Sequence, residues 1–376
     1  MPTYLNESIR KFVGDAALNW KGFAGMAPIR REEIWNHLDS LTKPARSLGR
    51  LEELAARLCE IQQTIAPQTM PRRIVLFAGD HGVASSGVTV WPSDVTGLMI
   101  ENIRGGGAAS SVLARQTQTE LVLIDVGSTG KEVADDGRSA GLSDPVRFRS
   151  RKVRSGTRDL SREPALSVAE FEQAFGVGRE EAKVASAAGV RVLAAGEMGI
   201  GNTTPAACLA MLLADVPLVE AVGRGAGADD ATLDRKRRVV EQAVQRARQE
   251  WSKDPLAAIA AIAGLEIAAM AGFFAEAQAA GLTILLDGYV AGTAALVAEF
   301  RVPGTVRSMI AAHLSAEPGH RLVLQKLRLE PFLHWNLWLG EGTGALLLIP
   351  LLDAAAAITQ EMAKLQDVGI SRKIEP

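Results

Sequence analysis

Residues 196–204 read G-E-M-G-I-G-N-T-T, and the apolar run 190–195 (V-R-V-L-A-A) leads into them. Pro205 follows, and then the apolar helical run 206–213. The order is strand, glycine loop, helix, with Thr204 suited to the N-cap and Pro205 to the first helical position. The glycines let the backbone pass close to a ligand, and a helix start offers unpaired N–H groups with partial positive charge. Such a loop fits a phosphate, with Gly199, Gly201, Asn202, Thr203 and Thr204 as its cradle. The plainer alternative is a tight strand-to-helix turn with no ligand. Glu197 inside the loop argues for a ligand.

Working outward, similar punctuation recurs. The run 74–78 (I-V-L-F-A) precedes G-D-H-G, 121–126 (L-V-L-I-D-V) precedes G-S-T-G, and 283–286 (T-I-L-L) precedes D-G-Y. A fifth run is 306–312 (V-R-S-M-I-A-A). These runs are short and lack polar alternation, as do strands buried on both faces. Helical stretches separate most of them, at 94–116, 167–187, 230–251, 264–280 and 289–300. Ser167 and Glu170 make a capping-box pair. Alternating strand and helix predicts an α/β fold, a doubly wound parallel sheet with helices on both faces. Ligands of such sheets lie beyond the carboxyl ends of the strands. The loops 79–82, 127–130 and 196–204 are therefore expected to converge on one crevice.

The flanks differ. Residues 1–70 read as helical, with Leu51, Leu54, Leu58 and Ile61 at helical spacing. After Glu330 the chain reads as helical again. The expected division is 1–70 and 331–376 as a small helical domain and 71–330 as the catalytic α/β domain. Residues 135–165, with R-F-R-S-R-K-V-R, read as a polar loop whose charges face solvent. The run 345–358, interrupted by Pro350 and Asp353, reads as a buried helix too short to span a bilayer.

Composition narrows the classes. A net charge of −2 over 376 residues implies no broad basic surface for nucleic acid. Two cysteines, Cys59 and Cys208, give neither a disulfide framework nor a zinc set, which fits a reducing compartment. The N-terminal residues lack the basic-then-apolar pattern of a signal peptide. No P-loop, no G-x-S-x-G elbow and no H-x-x-x-H pair occurs, and G-R-G-A-G-A at 223–228 matches a dinucleotide fingerprint only loosely. Neither a metal nor a cofactor is expected.

Candidate chemistry falls on acids and one lysine. Glu341 stands in L-G-E-G-T-G-A (339–345), between glycines and before an apolar helix. It is read as functional, against the alternative of a carboxylate complementing the helix start. Glu197 has the alternative of ordering its own loop. Lys236, in D-R-K-R-R, has that of an exposed helix face. His81, beside Asp80, can be a turn residue. The triple glycine after Arg104 interrupts a helix to allow close packing. S-A-E-P-G-H (315–320) follows the last strand and can line the same crevice.

Five stretches in this order resemble the nicotinate-nucleotide–dimethylbenzimidazole phosphoribosyltransferase family: F-A-G-D-H-G-V (77–83), G-E-M-G-I-G-N-T-T-P-A-A (196–207), V-G-R-G-A-G (222–227), S-A-E-P-G-H and L-G-E-G-T-G-A. The similarity runs from about Leu41 to about Met362. It implies transfer of the phosphoribosyl group of nicotinate mononucleotide to a nitrogen of 5,6-dimethylbenzimidazole, with inversion, in cobalamin nucleotide-loop assembly. It implies Glu341 as general base, Glu197 as a second functional acid, and Lys236 as a further catalytic residue. Gly225 and Ser315 join the nucleotide site, and Trp91, Ser93, Asp80, His81 and Leu339 the acceptor-base site. A cytoplasmic homodimer is implied as well. Two departures bear on the base accepted: W-P-S-D-V-T (91–96) replaces the family's usual Y-P-Q-E-V-T, and H-W-N-L-W (334–338) replaces D-L-x-L-R. The competing readings are the same chemistry on another benzimidazole, a purine or a phenol, and a catalytically silent nucleotide-binding paralogue. Intact Glu341, Glu197 and Lys236 argue against the last.

Overall fold

Aliphatic and β-branched runs form the strands, and the amphipathic stretches between them form helices that cover both faces of the sheet. The computed structural model describes residues 29–130, 135, 146–225 and 227–370. Among the described residues the elements begin with α1 (Arg31–Asp39) and α2 (Arg50–Gln62), then β1 (Arg72–Gly79), α3 (Asp94–Arg104), α4 (Ala109–Gln116), β2 (Glu120–Gly127) and β3 (Arg147–Ser150). It continues through α5 (Val168–Ala187), β4 (Val192–Met198), α6 (Thr203–Leu213), α7 (Leu218–Ala221), α8 (Asp230–Trp251), α9 (Pro255–Ala260) and α10 (Leu265–Ala279). The last elements are β5 (Thr283–Leu286), α11 (Tyr289–Arg301), β6 (Met309–Ala311), α12 (His320–Leu327) and α13 (Thr343–Glu361).

The strands form one parallel sheet in the order β3-β2-β1-β4-β5-β6. This is the doubly wound α/β sheet expected from the alternation of elements. Its order reverses between β1 and β4, so a crevice opens beyond their carboxyl ends. Register places Leu76 beside Gly196 and Phe77 beside Glu197. Alternate residues of each strand enter separate cores. Ile74, Leu76 and Ala78 pack with residues of α1–α4 and α13, whereas Val75 and Phe77 pack with α5, α6, α8, α10 and α11. On the second face α5 and α10 cross backbone to backbone. A Cβ at Gly178 would lie 1.8 Å from Ala269 O, and one at Gly272 1.9 Å from Phe175 O.

Several boundaries differ from the sequence reading. The helix read at 94–116 is two helices, because Gly105–Gly107 breaks it, with Gly106 at φ +80°. The polar stretch 135–165 contains the edge strand β3. Its basic residues are tied to acids, Arg149 to Glu181 and Arg154 and Arg158 to Glu170. The charge run thus holds an edge strand and loop to α5, with Ser167 and Glu170 forming the expected capping box. Helix α6 begins earlier than read: Asn202 is its N-cap and Thr203 its first residue, so Thr204 and Pro205 lie within the first turn. The fifth run of the sequence reading, which is β6, is shortened because residues Thr305–Ser308 form a 3-10 turn.

At the ends, the helical reading of residues 1–28 and 371–376 lies outside the described residues. The stretch after Glu330 is irregular, with one isolated bridge from Leu333 to His313, before it becomes helical at Thr343. Pro350 does not interrupt α13, which runs 19 residues and is long and apolar enough to cross a membrane by length and composition alone. Here Leu346, Leu348, Ile349 and Leu352 are buried in the core beside α2 and α4, while Pro350 and Leu351 face outward.

Candidate active site

A cavity of about 470 Å³ lies beyond the carboxyl ends of β4, β5 and β6. Its wall divides chemically. One part consists of Gly199, Gly201, Asn202, Thr203, Gly225, Ser315 and Lys236. Another is apolar, with Val88, Val90, Trp91, Met99, Trp338 and Leu339. Glu197, Glu341, Asp287 and Glu317 supply its carboxylates.

The glycine loop takes its path from close packing. A Cβ at Gly199 would lie 2.1 Å from Gly79 O, so the loop after β4 rests directly on the end of β1. Beyond it, Lys236 reaches in from α8 and is buried. Its Nζ donates to Thr203 Oγ1 at 2.7 Å and to Gly223 O at 3.2 Å. The exposed-face alternative for this residue is thus overturned: Val239, Val240 and Ala243 make the same side of α8 a core face. Burial lowers the Lys236 pKa to about 8, and Glu317 partly opposes the fall. Glu317 accepts from Gly225 N at 3.0 Å, tying down the loop beside the lysine.

The acids are placed by unusual backbone. Gly340, Glu341 and Gly342 have φ of +81°, +56° and +70°. Three consecutive left-handed residues explain the flanking glycines, and Glu341 itself bears the strain of a non-glycine residue there. The loop also has no room to shift. A Cβ at Gly196 would sit 2.3 Å from Gly342 N, and one at Gly340 would sit 2.4 Å from Glu197 Oε1. Glu341 Oε2 accepts from Ser110 Oγ at 2.9 Å, at the start of α4. Burial raises its pKa, the Ser110 bonds oppose, and Asp287 adds to the rise. Glu197 is pushed well above the usual carboxylate range by burial first, then by Glu266, Asp287 and Glu341. Asn202 Nδ2 donates to Glu197 Oε2 and pulls the other way.

Eleven of the expected residues therefore line one cavity: Glu341, Glu197, Lys236, Gly199, Gly201, Asn202, Thr203, Gly225, Ser315, Trp91 and Leu339. Four do not line it. Thr204 is fully buried in the first turn of α6, since the helix starts two residues earlier than read. Ser93 is the N-cap residue of α3. Asp80 turns away to accept from Thr129 N and Oγ1 at 2.7 and 2.8 Å. His81 lies beneath the glycine loop, its Nε2 3.0 Å from Glu266 Oε1, with both side chains inaccessible. The loop 127–130 does not join the crevice either, because Asp125 and Asp80 bind its amides.

Other residues at the site carried weaker signals. Asp287 and Trp338 belong to stretches quoted above, D-G-Y at a strand end and H-W-N-L-W. Glu317 lies within S-A-E-P-G-H. Ser110 sits in the run A-A-S-S, which carries no sign of a functional contact. Among the described residues, no group of three or more His, Cys, Asp or Glu side chains is arranged to hold a metal ion.

A phosphoribosyltransferase family model matches residues 26–370. The chain is 43% identical over 339 residues to the nicotinate-nucleotide–dimethylbenzimidazole phosphoribosyltransferase of Ralstonia nicotianae, covering 90% of this chain and 93% of that one. It is 43% identical over 335 residues to the protein of the same name from Thermus thermophilus, covering 89% and 96%. The crystal structure of CobT from Thermus thermophilus matches with a TM-score of 0.85 at 42% identity, covering 91% of this chain and 99% of that one.

The contact of Gly196 with the Glu341 loop gives a stability prediction. Gly196→Ala must displace backbone and should cost about 1–3 kcal/mol. Gly97→Ala, in α3 with nothing within 4 Å, should be neutral or gain up to about 1 kcal/mol. Urea midpoints of the two variants measure this. A Gly196→Ala midpoint equal to that of the unaltered protein would contradict the packing.

Proposed function

We propose that this chain, which belongs to the phosphoribosyltransferase family just described, transfers the 5-phosphoribosyl group of nicotinate mononucleotide to 5,6-dimethylbenzimidazole or a related base. The products are α-ribazole 5′-phosphate and nicotinate, for cobalamin nucleotide-loop assembly. One observation carries the reading. A single cavity combines a buried lysine at a glycine-rich helix start, an apolar wall with two tryptophans, and buried carboxylates.

The phosphate belongs with Lys236 and the start of α6. Thr203 Oγ1, the amides of the 199–203 loop, Gly225 and Ser315 surround the lysine's side of the wall. The aromatic base belongs with Trp91, Leu339 and Trp338, whose flat or apolar faces suit a planar bicyclic ring. Trp91 and Trp338 both fall in the two departures from the family pattern, so they are the positions that would set acceptor preference.

The acids act between these parts. As one imidazole nitrogen attacks C1′, the proton on the other becomes acidic, and Glu341 takes it. The bond from C1′ to nicotinate breaks, and its electron pair returns to the pyridine nitrogen. Glu197 faces a positive ring nitrogen in the donor and a cation-like sugar in the transition state. Neither Glu197 nor Glu341 forms an ion pair with Arg or Lys among the described residues, so a cationic ligand would meet no competing partner there. Attack from the face opposite the leaving group inverts C1′. A homodimer in the cytoplasm completes the reading.

Incubating the protein with nicotinate mononucleotide and a panel of bases, with products read by mass spectrometry, tests the reaction. Glu341→Gln should reduce turnover about 10²–10⁴-fold, the range for a lost general base. Near-normal turnover in that folded variant would remove Glu341 from the role. Because the Glu341 pKa is raised, turnover should fall with decreasing pH at a higher pH than an ordinary carboxylate would give.

Lys236 generates an alkaline counterpart. Its charged form is lost as pH rises through about 8, so nucleotide affinity by calorimetry should weaken above that pH. Lys236→Met should bind more weakly at neutral pH and lack that alkaline fall. An equal alkaline fall in the variant would contradict the assignment.

A further inference from the structure

We propose that Asp287 is the positioning residue for Glu341, seating the first turn of α13 and facing the glutamate with a fixed negative charge. Asp287 is the first residue after β5 and lines the cavity. Its Oδ1 accepts from Gly344 N at 2.8 Å and from Ala345 N at 3.2 Å. These amides lie three and four residues beyond Glu341, at the positive end of a 19-residue helix. His313 Nε2, from the segment after β6, lies 3.5 Å from the same oxygen. A Cβ at Gly344 would sit 2.0 Å from His313 Cδ2, so carboxylate, imidazole and helix start form a knot with no slack.

The consequence reaches Glu341 through a short rigid link. Thr343 Oγ1 and N both donate to Gly340 O, at 2.8 and 3.1 Å, closing a turn around Glu341 and Gly342. Fixing Gly344 therefore fixes the left-handed segment that aims the glutamate. The groups facing Asp287 are His313 after β6, Glu341 and the amides of α13, and Glu197 at the end of β4. The aspartate's charge disfavours the ionised form of Glu341, which makes it a stronger base once it is ionised. The catalytic part of this inference rests on the transfer reaction proposed above; the positioning part does not.

Two variants of the full chain separate the parts. Asp287→Ala removes the acceptor, and Asp287→Asn keeps an acceptor oxygen and removes the charge. Amide hydrogen exchange over residues 341–346, read without substrate, should speed up about tenfold or more in Asp287→Ala and less in Asp287→Asn. The rest of α13 and β4 should be unaffected. With substrates, Asp287→Ala should lower kcat about 100-fold while KM for nicotinate mononucleotide stays within about threefold. Asp287→Asn should move the acid limb of the kcat profile to lower pH, because Glu341 then ionises more readily. Unchanged exchange in Asp287→Ala, or an unmoved acid limb in Asp287→Asn, overturns the proposal. If the unaltered protein transfers to no base, the reaction reading fails, and the exchange measurement still decides the positioning role.

Discussion

The backbone of β4 at Gly196 lies against the backbone of Gly342, and much of the site depends on that contact. A side chain at position 196 would enter the space of Gly342 N and the Glu341 carbonyl carbon. The absence of one lets a sheet strand and the Glu341 loop share a van der Waals boundary. Glu197 and Glu341 are thereby fixed from two rigid elements, the strand and the start of α13. A site held this way loses little conformational entropy on binding, which is what precise placement of a base and a substrate requires.

Electrostatics then divides the cavity. The lysine's charge is weakened by burial, and the carboxylates' charges are weakened by burial and by one another. Such groups are costly to keep without ligands. Donors on the protein moderate that cost: Ser110 on Glu341, Asn202 on Glu197, and two helix amides on Asp287. A ligand with a phosphate at one part and a positive ring nitrogen at another would complete both sets.

Much of this was legible in the chain itself. The buried strands and their glycine loops were readable because a strand covered on both faces needs continuous apolar residues and its carboxyl end needs a turn. The glycines around Glu341 were readable because left-handed backbone favours them. What escaped had physical reasons. Edge strand β3 carries Arg147 and Arg149, whose charges reach acids at its margin, so it lacks the apolar signature. His81 and Asp80 follow a core strand in a motif that looks reactive, yet they are inward-facing supports bound to Glu266 and Thr129. Lys236 has basic neighbours on an amphipathic helix, and nothing local marks the one member that turns inward. Ser110 is brought to Glu341 across 231 residues of sequence, a pairing only tertiary structure can make.

The geometry's central claim is a single displacement at C1′ with the donor and acceptor held in one cavity. The most direct measurement is the anomeric configuration of the product formed from nicotinate mononucleotide and 5,6-dimethylbenzimidazole, read from through-space proton contacts between base and ribose by nuclear magnetic resonance. The account predicts the α-anomer alone. A β-anomeric product, or a mixture of both, would contradict it.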